Sequence, residues 1–133
     1  MIVLGGRITS AEVKIDKREL SAKRNMNIEI KGLKLEKDVL EIEYSYTVVY
    51  GDNSAKLKIE GVVVAKEPGA AKIVERWKKK QGLPDEFSED LINVINYVGS
   101  VNGTVIARVV DLAPPMSMPK LTRGEKKEGG KAM

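Results

Sequence analysis

The sequence predicts an α+β fold, a four-stranded antiparallel sheet followed by a short helix and a long C-terminal helix, within one domain over residues 1–119. Three observations lead there. Apolar and polar residues alternate with a period of two through the first half of the chain. The cluster Gly51, Asp52, Asn53 and Ser54 divides the two clearest alternating runs as a turn would. Beyond Pro68 the apolar spacing changes to three and four, the period of a helix face. A chain of 133 residues buries about two thirds of its unfolded surface, so a true core is available without disulfide or metal staples.

Val13 and Ile15 mark a first strand whose ends the pattern does not define. Met26, Ile28 and Ile30 alternate with Asn27, Glu29 and Lys31, and Leu33 and Leu35 continue in the opposite parity. A one-residue slip of phase at Gly32 predicts a β-bulge. Leu40, Ile42, Tyr44, Tyr46, Val48 and Tyr50 form one face of the next strand, and Leu57, Ile59, Gly61, Val63 and Ala65 one face of the fourth. Even positions must therefore pair with odd ones. Pairing Tyr50 with Ala55 leaves a four-residue loop and sets Tyr44 opposite Gly61, where its ring covers the missing side chain. A slip by one would bury Lys58 and Glu60 among the tyrosines, which are expected in the core under the helices with hydroxyls at its rim.

Pro68 suits a first helical turn, Ala70, Ile73, Val74 and Trp77 share a face, and Gly82 stands where a C-terminal cap belongs. Leu83 and Pro84 break the chain, after which Asp85, Glu86, Glu89 and Asp90 place negative charge at the start of a second helix. Local signals conflict over residues 87–112. Asn102 and Gly103 among β-branched residues resemble a hairpin turn. Against this, Phe87, Leu91, Val94, Val98, Val101, Val105, Val109 and Leu112 recur at spacings of four and three without a break, and a helix is expected. Gly99 and Gly103 then allow close approach of another element, each costing about 1 kcal/mol in helix propensity.

Cys and His are both absent, which removes thiol chemistry, the usual zinc sites and every mechanism that runs through imidazole. There is no phosphate-binding glycine loop, serine elbow or dinucleotide fingerprint, so neither an enzyme nor a cofactor is expected. Glu41 and Glu43 fit a solvated strand face, and Asp85 to Asp90 fit a compensated helix dipole in place of a cation site. Asn102-Gly103-Thr104 matches a glycosylation acceptor only by coincidence if it is helical. The N-terminus lacks a signal-peptide core and no run approaches the ~20 apolar residues of a membrane span, so a soluble, cytoplasmic protein without membrane insertion is expected. One Gln and abundant Lys and Glu lean toward a thermophilic source.

The net charge is +4, of which the last fourteen residues supply +3. Residues 120–133 thus read as a basic, disordered tail on a nearly neutral body, a poor surface for phosphate. Arg76, Lys78, Lys79 and Lys80 surround Trp77, either as a stacking site for single-stranded nucleic acid or as the wet side of a core-facing Trp. Val49, Val62 and Val64 fall on the polar side of the sheet, and apolar residues there point to a partner or ligand. Pro114, Pro115 and Pro119 hold Met116 and Met118 in an irregular apolar flap, which either borders a groove or seals the core.

Taken in order, these elements resemble the SecB export chaperone and its archaeal and toxin-antitoxin relatives over about residues 13–119. The telling pieces are NIEIKGLKLEKDVLEIEYSYTVV, with Asp38 before the long strand, then LPDEFSEDLINVINYV and LAPPMSMP. The resemblance implies dimers joined through sheet and helix, often paired into tetramers, with grooves that hold unfolded polypeptide without ATP. The expected function is ATP-independent holding of non-native polypeptide in an apolar groove of a homo-oligomer. Val49, Val62, Val64, Trp77, Leu112, Met116 and Met118 are the candidate contacts. Flexible methionines suit promiscuous binding. The chain departs from the bacterial chaperones in its near-neutral body and single Phe. Two other readings are a nucleic-acid module built on the basic run and tail, and a structural adaptor that only dimerises.

Overall fold

The computed structural model describes residues 1–18 and 23–115. Four strands, β1 (Ile2–Ile15), β2 (Arg24–Glu36), β3 (Val39–Tyr50) and β4 (Ala55–Lys66), precede helices α1 (Ala70–Lys78) and α2 (Asp85–Val109). The strands form one antiparallel sheet in the order β1-β4-β3-β2, which leaves β1 and β2 at its edges. Among the described residues no helix is long and apolar enough to cross a membrane.

The expected register holds. Tyr50 faces Ala55 and Tyr44 faces Gly61, and a Cβ placed on Gly61 would lie 2.7 Å from the Tyr44 hydroxyl. The bulge at Gly32 is present, between the pairs Ile30↔Tyr44 and Gly32↔Glu43. Lys37 and Asp38, both at positive φ, make the two-residue turn from β2 to β3. The even face of β3 and the odd face of β4 form the core beneath the helices, with Leu40, Ile42, Tyr46, Leu57 and Ile59 fully buried.

Several expectations need correction. β1 starts well before Val13 and pairs with β4 throughout, from Ile2↔Lys66 to Ile15↔Ala55. Register shifts between Val3 and Gly5 and between Ile8 and Ser10 change its parity twice, which is why no simple alternation shows there. Residues 85–109 are helical as the spacing predicts, but the helix stops at Val109 and Leu112 lies beyond it. The buried line is Phe87, Leu91, Ile95, Gly99, Gly103 and Ala107, whereas Val105 and Val109 are 60% and 78% exposed. The close approach made possible by Gly99 and Gly103 rotates the contact line away from the valines. A Cβ at Gly99 would meet the Tyr46 ring at 2.4 Å.

Both helices end alike. After α1, Lys80 adopts φ +57, and the amides of Lys80 and Gln81 donate to the carbonyls of Trp77 and Arg76. After α2, Asp111 takes φ +58, while its amide and that of Leu112 donate to Arg108 and Ala107. These are Schellman closures, so Lys80 takes the capping place expected of Gly82. The Arg18 guanidinium also donates to the carbonyls of Val110 and Asp111, a cation at the negative end of α2.

Candidate functional site

The two bulges in β1 have a structural effect. They keep Val3, Gly6 and Ile8 in register with Ala65, Val63 and Gly61, whose side of the sheet is the one the helices cover. The main contacts of α2 are with β2, β3 and β4, and between it and this part of β1 the sheet is open enough to leave a cavity. The result is a groove of about 750 Å³. Val3, Gly5, Gly6 and Ile8 line it from β1, Tyr44 and Val63 from the inner strands, and Asn93, Val94, Tyr97, Val98 and Asn102 from α2.

The chemistry of this lining is narrow. Arg7 is its only residue charged at neutral pH, and most of the rest is aliphatic or aromatic. Gly5 and Gly6 bring no side chains to the lining, so a ligand can approach the backbone there. Burial pushes the Tyr44 phenol up from its ordinary value, which keeps it a neutral hydroxyl. Tyr97 is 71% exposed and Val3 and Ile8 are exposed too, so the groove shows apolar surface to water. Among the described residues, the outer edge of β1 has no strand paired to it. An extended apolar segment fits these features: side chains enter the groove while its backbone can bond to a free strand edge.

The sequence-predicted residues are not gathered here. Val62 borders the groove, yet it is only 6% exposed, flanked by its cross-strand neighbours Arg7 and Glu43. It is therefore already shielded within one chain, contrary to the expectation of a wet valine. Val64 is half-buried between Gly5 and Glu41. Val49 pairs with Lys56, six residues along β3 from Glu43 and so about 20 Å away. Trp77 lines a separate groove of about 650 Å³ with Leu33, Lys34, Lys78 and Lys80. Leu112 packs partly buried against the core. Met116 and Met118 lie outside the described residues.

The other candidates have local partners. Lys79 lies 3.9 Å from Glu75, Arg76 donates to the carbonyl of Gln81, and Trp77 packs against the core, so the basic run is partly engaged with its own helix. Asp85 and Glu86 occupy the first turn of α2, and among the described residues no group of acidic side chains converges as metal ligands would. Among the groove residues that sequence reasoning did not mark as a site are Val3, Ile8 and Tyr97, while Val94 and Val98 entered it only as positions on the apolar face of the helix. Two signals pointed to them: an apolar Ile2-Val3-Leu4 run before a Gly pair, and Tyr97 off the helix's apolar stripe.

In sequence, no family model matches the chain and no curated protein matches it either. In structure it is similar to the SecB-like chaperone of Mycobacterium tuberculosis solved in complex with a ChAD peptide from the HigA1 antitoxin. The TM-score is 0.55 at 8% identity, over 90% of this chain and 86% of the other. The four antiparallel strands, the short helix and the longer C-terminal helix together give this chain a SecB-like fold.

Proposed function

We propose that the protein is an ATP-independent holding chaperone that binds non-native polypeptide in the groove between β1 and α2, as part of a homo-oligomer. The observation that supports this most is the groove itself, an open, largely apolar channel beside an unpaired strand edge. Such a site recognises what unfolded chains share, apolar side chains and free backbone amides, and needs no catalytic group. The SecB-like fold, and a peptide complex of a protein with that fold, support the same reading. The homo-oligomer part of the reading is supported by exposed Ile2, Leu4, Val105 and Val109, since apolar area left wet costs around 25 cal/mol per Å².

The test is suppression of aggregation of an unrelated unfolded substrate at stoichiometric ratio without nucleotide. Tyr97→Ser should reduce that activity severalfold while leaving the melting temperature unchanged, because Tyr97 is exposed and outside the core. Activity should persist between about 50 and 200 mM salt, a range over which phosphate binding would collapse. Failure to hold any substrate, or loss of activity with salt, would reject the reading.

A further inference from the structure

We propose that residues 116–121 of this same chain occupy the β1/α2 groove in cis and are displaced when a client polypeptide binds, an inference that rests on the groove being the client site. The argument begins where α2 ends. The closure at Asp111 turns the chain back, and Leu112 donates its amide to the carbonyl of Ala107. The Tyr50 hydroxyl then donates to the carbonyl of Ala113 over 2.7 Å. Pro115 lies over Gly103, so close that a Cβ there would come within 2.8 Å of its ring. Between Leu112 and Pro115 the chain has moved from the level of Ala107 to that of Gly103, about 6 Å back along α2.

Asn102, beside Gly103 in the helix, lines the groove. From Asn102 to Asn93 the groove follows α2 for nine residues, about 14 Å. Six extended residues span about 20 Å, enough to run its length. Those six are Met116, Ser117, Met118, Pro119, Lys120 and Leu121. Met116, Met118 and Leu121 bring apolar side chains, the thioethers adapt to irregular walls and favour ring contacts such as Tyr97 offers, and a proline at 119 disfavours a helix. Filling the groove from within would cover Val3, Ile8 and Tyr97 between clients. A tether of this length gives an effective concentration of order millimolar, so a segment with a free affinity of about 0.1 mM would weaken client binding about tenfold.

The test combines methionine-methyl NMR with binding of a labelled, permanently unfolded polypeptide, reduced and carboxymethylated α-lactalbumin. Expected are nuclear Overhauser contacts within one chain from the Met116 and Met118 methyls to Val94, Tyr97 or Val98. Truncation after Pro115 should tighten probe binding about tenfold, and truncation after Leu121 should leave it unchanged. If the contacts are absent and all three forms bind alike, cis occupancy is wrong while the groove reading survives. Contacts seen only between differently labelled chains would overturn it in favour of a second copy. Weaker binding after truncation at Pro115 would make the segment part of the client grip and overturn it as well. Contacts with no probe binding by any form would leave the occupancy standing and reject the chaperone reading, and displacement with it.

Discussion

The two halves of α2 meet the sheet in opposite ways. From Phe87 to Ile95 the helix presses large side chains into the core, with Leu91 and Ile95 fully buried. From Gly99 onward the buried positions are Gly99, Gly103 and Ala107, with Ile106 only partly buried, and the sheet reaches up to the helix: the Tyr46 ring packs over Gly99 and Leu57 lies near Gly103. The first half therefore derives its stability from its own apolar area, and the second from close approach. Mutations should separate the two, since removal of atoms harms the first half and addition harms the second.

The largest effect expected is that of Leu91→Ala, which leaves a cavity in a site with no solvent access and should cost about 2–5 kcal/mol in denaturant unfolding. A value under 1 kcal/mol would mean that the first half is not the anchor. Next comes Gly99→Ala. It gains about 1 kcal/mol of helix propensity but places a methyl 2.4–2.7 Å from three atoms of a fully buried ring, for a net loss of about 1–2 kcal/mol. Gly103→Ala meets mainly the Pro115 ring at 2.8 Å, part of a strap that can shift, and should be close to neutral. Equal losses at the two glycines would erase the distinction between ring and strap.

The smallest effect concerns pH. Burial lifts the phenols of Tyr44, Tyr46 and Tyr50 above their ordinary value near 10, and the Tyr46 hydroxyl shares a 3.3 Å hydrogen bond with Ser100. The folded chain keeps protons that the unfolded chain releases. The stability they contribute is complete below pH 10 and is lost as pH rises above it. Unfolding midpoints measured from pH 8 to 11 should thus fall at the alkaline end, and less so in Tyr46→Phe. An unchanged slope in that variant would place the coupling elsewhere.

Much of the sheet was legible because its register depends on local parity. Tyr44 opposite Gly61 follows from one even and one odd apolar face joined by a short turn, and Gly32 announced its own bulge. The helix stripe was misread for a physical reason. Glycine and alanine give no hydrophobic signal, so the stripe was drawn through the valines at 94, 98, 101, 105 and 109, and the close approach read at Gly99 and Gly103 was not carried over to the face that contains them and Ala107. The groove was illegible because it forms between Val3 to Ile8 and Asn93 to Asn102, segments far apart in sequence. Its β1 wall was further masked by two changes of parity.

The position of β1 beside β4 also fixes an order of assembly. β2, β3 and β4 form a meander closed by short turns, so its contacts become available as each strand is made. β1 is synthesised first, yet its partners lie 40 to 64 residues later in the chain. At about 5–20 residues per second it spends several seconds without them. During that interval Ile2, Val3, Leu4 and Ile8 belong to a nascent chain with an unsatisfied apolar strand, itself the kind of segment proposed above as a client of the finished groove.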